Sequence, residues 1–77
     1  MMKEILETII LNLVEDKEQV SISSKEEGKT LTLEVKVAED DMGRVIGKQG
    51  KIAKSIRTVM KSLAAKEHKK VVVEFID

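Results

Sequence analysis

The chain has 77 residues, with 14 basic and 14 acidic side chains, one histidine, one phenylalanine and no cysteine, tyrosine or tryptophan. A chain of this length forms one domain and buries only about 60 % of its unfolded surface, so its core is marginal and a partner or self-association is plausible. Without cysteine there is no disulfide framework, thiolate nucleophile or sulfur ligand, and a single histidine removes most support for zinc sites and Ser-His catalysis.

The zero net charge hides a segregation along the chain. Residues 1–42 carry five basic and eleven acidic side chains, residues 43–70 carry nine basic and one acidic, and the last seven carry two acidic ones. A local positive face holds a polyanion whatever the total charge.

Met2, Ile5, Leu6, Ile9, Ile10 and Leu13 recur at helical spacing, with Glu4, Glu7, Thr8 and Glu15 on the other face. They predict an amphipathic helix that fades around Asp16 or Lys17. Leu11 is out of phase and reads as a tolerated surface leucine or as part of a partner-binding patch. The apolar run is too short to span a bilayer and lacks the cleavage site of a secretory signal, so a soluble cytoplasmic protein with no membrane association is expected.

Val20 and Ile22 alternate with serines, Glu26-Glu27-Gly28-Lys29 reads as a turn, and Leu31, Leu33, Val35 and Val37 alternate with polar residues. This period of two predicts an antiparallel hairpin. Glu39 or Asp40 is expected to cap a short helix over residues 40–46 that buries Met42, Val45 and Ile46, and the pair Asp40 and Asp41 reads as that cap. Ile52, Ala53, Ile56, Val59, Met60, Leu63 and Ala64 then form one face of the most regular helix, opposite Lys51, Lys54, Thr58, Lys61 and Ala65. That helix stops near Lys66 to His68, and Val71 to Ile76 is a final strand with Phe75 in the core.

The order helix, strand, strand, helix, helix, strand is an α+β arrangement. The strands on either side of the helix pair are joined by a long crossover and run parallel, while the hairpin adds an antiparallel edge strand. A three-stranded mixed sheet with three helices packed on one face encloses a small core.

Three of the four glycines fall in Gly43-Arg44-Val45-Ile46-Gly47-Lys48-Gln49-Gly50. The pair Gly47 and Gly50 lets a tight loop turn, removes the Cβ atoms that hold a ligand away, and leaves backbone N–H groups pointing outward at a helix start, where an anion is favoured. A plain connection between two helices explains Gly-x-x-Gly alone. The neighbourhood argues for more: Arg44, Lys48, Lys51, Lys54, Arg57 and Lys61 surround the loop, and no acidic residue occurs between Gly43 and Lys66. A P-loop needs one more residue before its Gly-Lys pair and a Ser or Thr where Gln49 stands, and a dinucleotide fingerprint needs glycine where Val45 stands.

With Ile46-Gly47-Lys48-Gln49-Gly50-Lys51-Ile52 between its two middle helices, the chain resembles a type II KH domain, whose signature is Ile-Gly-x-x-Gly-x-x-Ile or a close variant. The second apolar position falls two residues after Gly50 and Ala53 stands at the third, so either Ile52 or Ala53 packs beneath the loop. The resemblance covers residues 1–77 as a single KH domain and extends to small bacterial KH-domain RNA-binding proteins of the KhpA type. It implies that Gly47, Lys48, Gln49 and Gly50 clamp the backbone of single-stranded RNA, with about four nucleotides in a groove bordered by Arg44, Val45, Ile46, Lys51 and Lys54. It further implies a homodimer, or a heterodimer with a larger KH-containing RNA-binding protein, and a role as RNA chaperone or post-transcriptional regulator linked to cell-wall synthesis and cell shape. No catalytic residue, cofactor or metal is expected. Phe75 as the one aromatic argues against RNA folds that stack bases on strand aromatics. The rival reading is a protein-docking module of the same shape that acts mainly as a subunit of a larger complex.

Overall fold

β2 (Thr30–Lys36), whose apolar and polar side chains alternate, is the central strand. It pairs antiparallel with β1 (Ser21–Glu27) and parallel with β3 (Lys70–Ile76), as expected from the hairpin and the long crossover. The computed structural model describes residues 1–76. In register, Ile22 lies opposite Val35 and Leu33 opposite Val73, so one sheet face is apolar and the other carries Ser23, Glu34 and Glu74. Three helices cover the apolar face: α1 (Met2–Leu11), α2 (Met42–Ile46) and α3 (Lys51–Lys66).

Every layer contributes to the sealed centre: Leu6 and Ile10 from α1, Leu33 and Val35 from β2, Val45 from α2 and Met60 from α3 are each 0 % exposed. Each such side chain contributes about 1.5–3 kcal/mol through the apolar area it removes from water. No helix among the described residues is long and apolar enough to cross a membrane.

Several expectations are corrected. The first helix ends at Leu11, well before Asp16, because Asn12 turns its side-chain amide back onto the Thr8 carbonyl at 2.7 Å and Leu13 N–H bonds Ile10 in a tighter turn. Leu13 and Val14 still pack on the core from this irregular segment. Glu26 and Glu27 belong to β1, paired with Leu31 and Thr30, and only Gly28-Lys29 forms the turn. Their charged side chains lie on exposed strand positions, so the ladder continues past the core edge. The apolar face of α3 is also wider than what the sheet and neighbouring helices cover. Ala53, Ile56, Met60 and Ala64 are buried, whereas Ile52 remains 37 % and Val59 46 % exposed on one shoulder. Phe75 is half-buried against the core.

Candidate nucleic-acid interface

The loop between α2 and α3 is shaped by Gly47. Its N–H closes α2 on the Gly43 carbonyl at 2.9 Å, and its φ of 77° with ψ of 171° is a conformation essentially restricted to glycine. A Cβ there would stand 2.6 Å from Ile52 Cγ1 and 2.9 Å from the Ile52 backbone nitrogen. Ile52 is therefore the side chain packed against the loop, and Ala53 is buried at 3 % exposure in the core.

From Gly47 the chain makes a single 3-10 turn, Lys48–Gly50, closed by Gly50 N–H on the Gly47 carbonyl at 3.1 Å. Gln49 sits in the left-handed region at φ 58° and ψ 24°, as does Gly50 at φ 73° and ψ 15°. Lys48 and Gln49 are thereby lifted to the rim with exposed side chains, and among the described residues their amides donate to no backbone carbonyl. The positive end of α3 lies directly behind them.

Lys51 and Lys54 are exposed on the first turns of α3. At about 100° per residue, Lys54, Arg57 and Lys61 share the flank of α3 opposite the Ile52 and Val59 shoulder. That flank faces the free edge of β3 across a cleft of about 230 Å3 lined by Arg57, Lys61 and Lys70 to Val73. Sequence reasoning set Lys61 with Lys51 and Lys54 on the polar face of α3, named Arg57 only as part of a basic stretch, and did not place that flank against β3. The charge pattern was visible, but which side of α3 meets a strand edge depends on packing.

Other expected site residues lie elsewhere. Val45 is fully buried in the core, so it supports α2 from beneath and borders no groove. Ile46 is half-buried against the core. Arg44 turns toward the acidic side of the molecule: its Nη1 donates to Asp41 at 2.8 Å and to the Asp40 carbonyl at 3.2 Å, and its Nη2 pairs with Glu15.

Asp41 is the hub of that cluster and corrects the expected helix cap. Its side chain makes no capping bond to α2; its two carboxylate oxygens accept the backbone N–H groups of Glu15 at 3.1 Å and Asp16 at 3.0 Å. It is 2 % exposed and ties the segment after α1 to the start of α2. The Asp16 and Glu15 amides, more than the Arg44 guanidinium, hold its carboxyl below the usual 3.8, against burial, which raises it. A depressed folded value means that the carboxylate's contribution to stability is complete above the ordinary carboxylate range and drains as pH falls through it toward the lower folded value. Asp41→Asn is expected to lower Tm at neutral pH and to flatten the fall of Tm below about pH 5. Thermal melts of both proteins across that range check this, and parallel curves would remove Asp41 from the acid response.

Residues 3–75, which include the Gly-x-x-Gly turn, match the model of the KhpA/KhpB KH domain. The chain belongs to this family. The family is a non-enzymatic one. Curated relatives include RNA-binding protein KhpA of Clostridium acetobutylicum, 55 % identical over 97 % of this chain and 100 % of that protein. RNA-binding protein KhpA of Listeria monocytogenes is 43 % identical over 99 % of this chain and 100 % of its own length. Among solved structures, Aquifex aeolicus Era bound to GDP·AlF4− superposes with a TM-score of 0.66 at 20 % identity, over 96 % of this chain and 29 % of Era. Era in complex with MgGDPNP and a segment of 16S ribosomal RNA gives 0.65 at 21 % identity, over 96 % of this chain and 28 % of that one. This likeness is one of fold.

Proposed function

We propose that the protein binds single-stranded RNA, holding the sugar-phosphate backbone at Gly47, Lys48, Gln49 and Gly50 and laying bases along the α3 and β3 cleft. The observation that carries this reading is the loop itself. Gly47 has no room for a Cβ, and the turn it permits offers two amides and the Lys48 ammonium at the positive end of a helix. The basic flank supports it: among the described residues, none of Lys48, Lys51, Lys54, Arg57 and Lys61 is paired with a carboxylate. Relatives named as RNA-binding proteins point the same way. Arg44, engaged with Asp41 and Glu15, is a secondary contact that a phosphate has to draw away from them. The test is a titration of labelled single-stranded RNA with the wild type and the Lys48→Asp, Gln49→Asp variant at two salt concentrations.

In this reading the protein acts as an RNA chaperone or post-transcriptional regulator in the cytoplasm and works as a dimer. The Ile52 and Val59 shoulder, with half-buried Leu63 beside it, is the contact for a second copy or for the KH domain of a larger partner. It lies on the flank of α3 away from the cleft, so pairing there leaves both clefts open, and two weak sites reinforce each other through effective concentration. Val59→Glu is expected to lower the mass in solution from twice 8.6 kDa to 8.6 kDa, measured by light scattering on a sizing column. A dimer that survives the change would move the contact to another face.

A further inference from the structure

Arg57 stands where the basic flank of α3 meets the free edge of the sheet. Its Nε donates to the Val73 carbonyl at 3.0 Å, and its guanidinium carbon lies 5.4 Å from the centroid of the Phe75 ring. The hydrogen bond sets the direction of the guanidinium and the ring covers it from one side, so the fork is held in place before any ligand arrives. Lys70 N–H points inward to the Lys29 carbonyl at 2.8 Å, and the Val73 carbonyl points outward to Arg57. One of the five guanidinium donors is thus spent on the strand, and among the described residues no carboxylate pairs with Arg57. The cleft beside it, about 230 Å3, is smaller than the roughly 300–1,000 Å3 of sites that enclose a drug-sized ligand, and Val72, 36 % exposed, lies on its strand side. Such a space suits one flat group set against an open wall.

We propose that Arg57 is the specificity-determining residue of the cleft and reads guanine, through its O6 and N7 acceptors, in preference to adenine. The inference rests on the RNA-binding reading above. A fixed pair of donors matches two adjacent acceptors, whereas adenine presents N7 beside an N6 amino group, which sets donor against donor. Lys61 and Lys70, also on the cleft, are rotatable point charges on flexible stems, with no contact that fixes their donors toward one base edge, and they are free to follow phosphate. A purely structural Arg57, closing an edge carbonyl of β3, would affect stability but not base preference.

The experiment compares short oligoadenylates with and without one central guanosine, by fluorescence anisotropy, with the wild type and with Arg57→Met, which keeps an unbranched apolar stem and removes every donor, since lysine would still donate to O6 and N7. The guanosine oligomer is expected to bind the wild type about tenfold more tightly. Replacing that guanosine by a deazaguanosine lacking N7 should remove the gain, and Arg57→Met should weaken both affinities and bring their ratio to near one. Equal affinities in the wild type, a gain that survives removal of N7, or a ratio that persists in Arg57→Met would each overturn the base reading while leaving the clamp in place. Absence of binding to either oligomer would overturn the RNA reading and this inference together.

Discussion

Single-stranded RNA affinity of the Lys48→Asp, Gln49→Asp variant is expected to fall by about two orders of magnitude at low salt, since two attractive backbone interactions become two repulsions and each tenfold reduction takes about 1.4 kcal/mol. The fold should survive. Both side chains are exposed, and Gln49 occupies left-handed backbone that aspartate tolerates better than most residues. Salt provides a second readout, because each phosphate that the protein no longer neutralises lowers the slope of log affinity against log salt by about 0.7 for a single strand. A variant with unchanged circular dichroism, reduced affinity and a shallower slope would establish the loop as the clamp. Equal affinity in a folded variant would leave only the α3 flank as the electrostatic footprint, and absence of binding in both proteins would turn attention to the Val59 shoulder and a protein partner.

The parts of this molecule legible in its sequence are those set by local periodicity. The alternation in β2 set its buried face, and the tight turn and the long crossover set its antiparallel and parallel partners. The Gly-x-x-Gly loop was legible because positive φ and close approach demand glycine at particular positions. What stayed hidden depends on packing between distant segments. Asp41 looked like a local cap beside Asp40, but its carboxylate bonds amides 25 and 26 residues away. Nothing in the local pattern distinguishes a cap from such a tether. Val59 and Ile52 looked like core because helical spacing shows which residues share a face and not how much of that face is covered. Arg57 was one cation among several until β3 placed an unpaired carbonyl and Phe75 beside it.

Replacing Gly47 by alanine is expected to cost about 2–4 kcal/mol, the sum of a φ and ψ that only glycine adopts readily and a Cβ collision at the start of α3. The collision is severe because one of the atoms met, at 2.9 Å, is the backbone nitrogen of Ile52, which moves only if the first turn of α3 moves with it. For a small domain, each kcal/mol corresponds to about 4–8 °C in Tm, so a drop of roughly 8–32 °C is expected. Two other substitutions isolate the cause. A Cβ at Gly50 would meet nothing within 4 Å, so Gly50→Ala carries only left-handed strain of about 1–2 kcal/mol. Gly43, inside α2 with equally open surroundings, should become more stable by about 0.5–1 kcal/mol as alanine. Thermal melts of the three variants test the ranking directly. If Gly47→Ala melted no lower than Gly50→Ala, the loop would not be pressed against α3, and the clamp could not owe its shape to that packing. If the expected order holds, stability and RNA affinity should fall together at Gly47. At Lys48 and Gln49 only affinity should change, because those two residues make the outer surface of a turn whose form Gly47 determines.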